Sequence, residues 1–188
     1  RESGVGSQKS DADYVLDIGT GTGLLSLMLA QKNASAVMDA IEIDKDAAEQ
    51  AGENVAASPW GDRVKVIHAD AWEFNYPKKY DIIISNPPFY ENELKGDDMK
   101  RNLAHHNEGL LLPELLNIIK KNLETRGSFY LLLPYKRNEE IKKLLVEHEL
   151  EIRQITFVRQ SVNHDYFRIM LAGKLKNEYP VETEIDDI

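Results

Sequence analysis

Residues 86–89 have the composition of a catalytic site: Asn-Pro-Pro-Phe, directly after a predicted short buried strand at 81–85. Two prolines fix the backbone and remove two N–H donors, which leaves carbonyl groups facing outward. The Asn86 Oδ1 and the Pro87 carbonyl can then accept from both hydrogens of an aromatic amine and turn its lone pair toward an electrophile. Phe89 can stack on an extruded base. We therefore predict Asn86, Pro87 and Phe89 as catalytic residues.

A second motif, Asp-Ile-Gly-Thr-Gly-Thr-Gly, occupies residues 17–23. Gly19, Gly21 and Gly23 let the backbone turn tightly and lie directly against a ligand. The dinucleotide fingerprint requires a glycine three residues after its second glycine, but Leu24 or Ser26 stands there. Asp17 suits a ligand with a cationic amino group. The motif thus predicts a cofactor site that does not bind NAD.

Two further acidic positions follow apolar stretches. Glu42 stands about twenty residues beyond the glycines, where an acid can accept hydrogen bonds from both hydroxyls of a ribose. Asp44 is the alternative, or only the cap of a helix that starts at residue 45. Asp70 can accept from the amino group of an adenine ring, and the Ala71 N–H can donate to a ring nitrogen. Together these residues predict a pocket for an adenosine joined to an amino acid.

The elements that must position these motifs alternate along the chain. We expect strands at 14–18, 36–43, 64–68, 81–85, 127–133, 152–158 and 167–172, and helices at 24–31, 45–57, 112–123 and 138–148. Strands separated by helices imply an α/β fold with a parallel sheet covered on both faces. The last two strands have no helix between them and should form an antiparallel hairpin at one edge. Ligands of such sheets bind at the carboxyl ends of the strands, where all four motifs fall.

With these motifs the chain resembles the class I S-adenosylmethionine-dependent methyltransferases of the amino-methylating N-P-P-F group. Within that group it is most similar to the bacterial valine-tRNA adenine-N6 methyltransferases. The resemblance covers about residues 14–175 and is carried by 15–23, 24–31, 40–44, 69–70 and 86–89, with weaker support from 101–106. It implies a Rossmann-like, mostly parallel seven-stranded sheet, S-adenosyl-L-methionine as cofactor and tRNA as substrate. It also implies that the glycine turn and Glu42 bind the cofactor, Asp70 its adenine, and 86–89 the target base.

The remaining candidates are Pro88 of this motif and residues of the polar stretch that follows it. Pro88 and Tyr90 would extend the surface for the base, Lys100 and Arg101 would hold phosphate, and His105 would touch phosphate or base. The alternative for each is an ordinary packed or solvated loop residue. No metal site is expected, because no carboxylates flank the histidines at ligand spacing. Trp60 and Trp72 are predicted to pack in the core.

The composition restricts the partners. The net charge of -9 opposes nucleic-acid binding, but residues 95–176 carry 15 basic and 11 acidic side chains, against 8 and 16 in residues 1–94. With no cysteine and no run long enough to cross a bilayer, we expect a cytoplasmic protein without membrane contact. We expect residues 1–13 to be a loose remnant of a truncated N terminus, 14–176 the methyltransferase domain, and 177–188 an acidic tail that is disordered or a linker. The sequence indicates no oligomeric state.

Three alternatives stay open. The same chemistry could act on glutamine N5 of a protein, guanine N2 of ribosomal RNA or adenine of DNA. A nucleotide-dependent oxidoreductase is disfavoured by the glycine spacing. The third is a non-catalytic module that binds the cofactor or RNA. It stays open because members of the similar family usually carry a further strand and a Val-Gly-Thr-Asp-Gly loop ahead of the glycine turn, and this sequence begins too late to contain them.

Overall fold

In the computed structural model, which describes residues 13–87, 110–177 and 182–188, strands and helices alternate in the order that the sequence predicts. The strands are β1 (Tyr14–Ile18), β2 (Val37–Glu42), β3 (Val64–His68), β4 (Tyr80–Ser85), β5 (Leu123–Pro134), β6 (Leu150–Val158), β7 (Arg168–Leu175) and β8 (Glu184–Asp187). The helices are α1 (Leu24–Lys32), α2 (Lys45–Ala56), α3 (Leu112–Asn122) and α4 (Asn138–Glu147), and a short 3-10 helix covers Tyr135–Arg137.

All these strands form one sheet in the order β3-β2-β1-β4-β5-β7-β6-β8. The strands β1 to β5 pair in parallel, and β7 lies antiparallel between β5 and β6. The predicted fold class, a mostly parallel sheet with an antiparallel C-terminal hairpin, is confirmed.

The tail departs from the expectation for residues 177–188. Residues 184–187 form β8, an eighth strand that pairs in parallel with β6, where disorder or a linker was expected. The physical reason is the open edge of β6, whose backbone groups would otherwise lack partners in the sheet. The Gln154 side chain also donates to Asp186 Oδ2 at 2.8 Å. The outermost strand is therefore β8, and the antiparallel pair lies one strand further in.

Alternating side chains of the strands build two separate cores. Leu16 belongs to the larger core, which packs under α3 and α4, whereas its neighbour Val15 belongs to a smaller core with Ala30 of α1 and Val55 of α2. The helices thus lie on opposite faces, as right-handed crossovers require.

The face that carries α1 is covered only in part by the described residues. An apolar groove of about 480 Å³ lies beside α1 over β4, β5, β7 and β6, lined among others by Met28, Ile84, Tyr130 and Met170. Among the described helices, α3 and α4 follow β4 and β5, and both pack on the other face. The groove is therefore open within the described residues, and helices lie on both faces of the sheet, as expected.

Strand β5 begins four residues earlier than predicted. Its polar residues 124–126 conceal it in the sequence, and the register with β4 shifts between Tyr80 and Ile82. Gly127 makes this irregularity possible: a Cβ there would lie 2.8 Å from Leu123 Cδ1 and 2.9 Å from the Asp81 carbonyl oxygen.

Candidate functional site

The strand register gathers the motifs at one edge of the sheet. Ile18 at the end of β1 is paired with Ile41 of β2 on one side and with Ser85 of β4 on the other. Glu42 is paired in turn with His68 at the end of β3. The glycine turn, Glu42, Asp70 and Asn86 therefore follow four adjacent strand ends, as expected for parallel strands.

The glycine turn has the backbone that its sequence requires. Gly19, Gly21 and Gly23 have φ values of 70°, 58° and 84°, in the left-handed region that only glycine adopts readily. A Cβ on Gly23 would contact Ala51 Cβ at 3.4 Å, so this position fits the turn against α2. A Cβ on Gly19 or Gly21 would meet nothing within 4 Å. The backbone at these two glycines therefore faces open space.

Asp17 lies fully buried beneath this turn. Its Oδ2 accepts hydrogen bonds from Thr20 Oγ1 at 2.7 Å and from Ser26 Oγ at 2.8 Å. Its Oδ1 is buried without a hydrogen-bond partner among the described residues. Burial raises the pKa of Asp17, and the two hydroxyl groups oppose this shift only in part. An acceptor left without a partner under the turn is suited to a donor on a ligand.

Glu42 connects the ends of β1 and β2. Only 8% of the residue is exposed, its Oε2 accepts from Gly21 N at 2.7 Å, and its Oε1 accepts from Asp44 N at 3.0 Å. A carboxylate has about four acceptor positions, so both oxygens can still accept from hydroxyl groups of a ligand. Asp44, the alternative ribose ligand, caps α2 by accepting from Ala47 N at 2.8 Å.

Asp70 forms a tight turn after β3. Its Oδ1 accepts from Trp72 N at 2.8 Å, and its carbonyl accepts from Phe74 N at 2.9 Å. The Ala71 carbonyl accepts from Tyr76 Oη at 2.7 Å. Oδ2 of Asp70 makes no hydrogen bond within the described part of the chain, so it can accept from a ligand.

Asn86 and Pro87 follow β4 directly. Ser85 Oγ donates to the Ile18 carbonyl at 2.7 Å and so fixes the end of β4 against the start of the glycine turn. Asn86 is exposed, and Pro87 is buried. Pro88, Phe89, Tyr90, Lys100, Arg101 and His105 lie outside the described residues, and their roles remain predictions.

Sequence reasoning missed three polar residues and misplaced a tryptophan. Thr20, Ser26 and Ser85 hold Asp17 and the end of β4, and the only signal for Ser26 was a small polar residue inside an apolar helix. Trp72, predicted to pack in the core, is 48% exposed. Its ring lies 5.7 Å from the Lys121 ammonium, and its backbone N–H donates to Asp70 Oδ1 in the turn after β3.

Neither a metal-binding group nor a membrane-spanning helix was found among the residues described. No group of three or more His, Cys, Asp and Glu side chains in 13–87, 110–177 and 182–188 could hold a metal ion. Within the same residues, no helix is long and apolar enough to span a membrane.

Comparison with known proteins agrees with this geometry. The family model of the methyltransferase small domain matches residues 7–148. A tRNA1(Val) (adenine(37)-N6)-methyltransferase of Dyadobacter fermentans is 48% identical over 70% of this chain and 55% of its own length. Thus the chain spans little more than half the length of this relative. The protein of the same description from Flavobacterium johnsoniae is 40% identical over 93% of this chain and 74% of its own length.

Solved structures show the same fold at low sequence identity. A protein of Agrobacterium tumefaciens described as an O-methyltransferase has a TM-score of 0.72 at 15% identity and covers 97% of this chain and 83% of its own. The O-methyltransferase of a Brevibacillus brevis multienzyme, solved with S-adenosyl-L-homocysteine, has a TM-score of 0.64 at 18% identity and covers 90% and 69%. The sheet order, the glycine turn and the family match agree, and the chain belongs to the methyltransferase small domain family.

Proposed function

We propose that this chain transfers a methyl group from S-adenosyl-L-methionine to the exocyclic N6 amine of an adenine in tRNA. The observation that carries the proposal is the Ser85 Oγ bond to the Ile18 carbonyl, 2.7 Å long, which fixes Asn86 beside the glycine turn. A base held by Asn86 and a cofactor held by the turn would then meet at one point. The name of the curated relatives supplies the substrate, adenine 37 of a valine tRNA.

The residues of the pocket fit the proposed cofactor. Gly19 and Gly21 leave open space where a Cβ would stand. Glu42 offers two carboxylate oxygens for ribose hydroxyls, and Asp70 Oδ2 can accept from an adenine amine. The partnerless Oδ1 of Asp17 points to a donor on the amino-acid end of the ligand. The amino group, the ribose hydroxyls and the adenine amine of S-adenosyl-L-methionine thus each have an acceptor in this chain.

In this reaction the role of the protein is to orient the amine toward the methyl group. When bound, the cofactor supplies a methyl group on a positively charged sulfur. Asn86 Oδ1 and the Pro87 carbonyl accept from the two N–H groups of the amine, which directs the nitrogen lone pair at that methyl group. Transfer would form one nitrogen–carbon bond and break the sulfur–carbon bond of the cofactor, with the electron pair retained by the sulfur. The methylated amine then releases a proton to water, so no side-chain base is required.

Parallel methyl-transfer assays test this assignment. The full-length protein would be given labelled cofactor with total tRNA, ribosomal RNA, duplex DNA or release-factor protein. We expect label in tRNA as N6-methyladenine, and none in a valine tRNA transcript whose adenine 37 is replaced by guanine. Label in protein glutamine or DNA, with none in tRNA, would overturn the tRNA assignment and leave the amino-methyltransferase chemistry standing. Because tRNA is the substrate, the proposal places the activity in the cytoplasm, which fractionation would check.

A further inference from the structure

The hairpin that joins β6 to β7, residues 159–167, lies at the carboxyl ends of the parallel strands, on the same side of the sheet as Asn86. Ser85 at the end of β4 is paired with Leu131 of β5. Three residues further on, Pro134 is paired with Arg168, where β7 begins and β6 ends. Neighbouring strands lie about 4.8 Å apart, so the hairpin begins roughly 10–15 Å from Asn86. That span is comparable to one or two nucleotides of an RNA backbone.

Aromatic rings support this hairpin from below. Tyr135, Phe157 and Tyr166 pack against one another with centroid separations of 5.3–5.5 Å. Phe167, next to this cluster, is 44% exposed, with the Arg168 guanidinium 5.8 Å from its ring. An exposed ring beside a guanidinium is a surface on which unstacked bases pack.

The hairpin also holds an arranged pair of donors. Arg159 Nη2 donates to Asp187 Oδ2 at 2.6 Å, and Tyr166 Oη donates to the same oxygen at 3.0 Å. The Arg159 guanidinium lies 5.3 Å from the Tyr166 ring, which fixes the direction of both donors. A guanidinium and a phenol that converge on one anionic oxygen form a geometry suited to a phosphate oxygen.

We propose that Arg159 and Tyr166 bind a backbone phosphate of the RNA substrate, and that Asp187 occupies the same position when RNA is not bound. This inference rests on the proposed tRNA methylation. Hairpin residues were not among the candidates from the sequence, because Arg159 and Tyr166 stand seven residues apart and meet only through the turn. The contact would hold the nucleotide beside the extruded adenine and so direct the base toward Asn86.

The strand that carries Asp187 is suited to displacement. All four residues of β8 are exposed, and it has pairing with β6 on one side. The Arg159 and Asp187 side chains are 29% and 48% exposed, and ion pairs of that exposure contribute little to stability. A backbone phosphodiester carries one negative charge on two non-bridging oxygens, as a carboxylate does, so it can accept from the same two donors. Substrate RNA can therefore replace Asp187 without disturbing the buried core.

Titration of the full chain with a fluorescent valine tRNA transcript tests the proposal. Arg159→Gln should weaken tRNA binding about tenfold and lower the salt dependence by about one counterion between about 50 and 200 mM salt. Asp187→Asn removes the competing charge and should tighten binding about two- to fivefold. The matched control is Lys120→Gln, which removes an exposed basic partner of Glu149. Glu149 directly precedes β6 and so lies at the other end of that strand from the hairpin, and this variant should leave tRNA binding unchanged.

Methyl-transfer kinetics and cofactor calorimetry separate the possible failures. We expect Arg159→Gln to raise the KM for tRNA while kcat, cofactor affinity and melting temperature stay near wild type. If wild-type protein methylates tRNA and Arg159→Gln has the same KM and affinity, this inference is wrong and the proposed function survives. Unchanged or weaker binding by Asp187→Asn would overturn the competition by β8. If wild-type protein binds the cofactor but neither binds nor methylates tRNA, both proposals fail together.

Discussion

Glu42 accepts a hydrogen bond of 2.7 Å from the backbone N–H of Gly21, across the gap between the ends of β2 and β1. The same carboxylate holds Asp44 N at the start of α2. A side chain predicted as a ribose ligand thus also fixes the shape of the glycine turn. Binding and turn geometry are coupled through one residue, and its substitution should affect both.

Glu42→Ala should weaken S-adenosyl-L-methionine binding by roughly 1.5–3 kcal/mol, the usual contribution of hydrogen bonds to a charged group. It should also lower the melting temperature, because Gly21 N and Asp44 N lose their acceptors. Calorimetry and thermal denaturation measure the two effects. Glu53→Ala, on the exposed side of α2, is the matched control and should change neither. Unchanged cofactor affinity in Glu42→Ala, or binding of NAD by the wild type, would contradict the assignment.

Gly21→Ala should reduce both stability and cofactor affinity. The residue has a φ of 58°, where a side chain adds strain of about 1–2 kcal/mol. Its new methyl group would meet no protein atom within 4 Å and would project into the space assigned to the cofactor. Gly52→Ala is the control: it lies within α2, has equal room and should stabilise the helix by about 0.5–1 kcal/mol. Equal cofactor affinity in both variants would place the ligand elsewhere.

The sequence predicts most of this fold because its local signals agree with one another. The glycines at 19, 21 and 23 and the Asp44 cap are local signals that indicate their turns in the sequence, before any distant contact is known. The strand β8 could not be predicted in this way, since its acidic residues form a strand only because β6 offers an open edge and side-chain partners. The start of β5 was concealed for a similar reason, an irregular register with β4.

The same distinction between local signals and long-range contacts applies to the candidate site. The positions of Asp17, Glu42, Asp70 and Asn86 at strand ends follow from the alternation of strands and helices. The atoms that these side chains leave available to a ligand cannot be predicted in this way. The turn formed by Asp70 and the buried Asp17 Oδ1 depend on contacts that only the folded chain brings together. The exposure of Trp72 is of this kind as well.

The buried carboxyl of Asp17 predicts a pH effect on stability. Burial raises its pKa in the folded chain above the ordinary value of about 3.9 in the unfolded chain. The folded state therefore takes up a proton first, and the wild type should gain stability relative to Asp17→Asn as the pH falls through that raised pKa. Urea denaturation of both proteins from about pH 8 to about pH 4 measures the difference.

Glu140 serves as a control, because the pH dependence of its contribution to stability should have the opposite sign. The hydrogen bond from Arg137 holds the pKa of this carboxyl below its ordinary value. The wild type should therefore lose stability relative to Glu140→Gln as the pH falls, because the contact with Arg137 is lost on protonation. A pH-independent difference between wild type and Asp17→Asn would show that Asp17 keeps an ordinary pKa in the folded chain.

Asn86→Ala should separate catalysis from folding. Asn86 is exposed at the end of β4, and the buried bond from Ser85 Oγ to the Ile18 carbonyl holds the strand end without it, so the melting temperature should stay nearly unchanged. Loss of an acceptor that acts mainly on the amine in the transition state should lower kcat on the order of 10²–10³-fold. Cofactor affinity, measured by calorimetry, should stay at the wild-type value, because the residues assigned to the cofactor lie on β1, β2 and the turn after β3. A radiolabelled methyl-transfer assay with tRNA gives kcat. Near-normal turnover in this variant would mean that the amine is oriented by other groups, and the proposed mechanism would have to be abandoned.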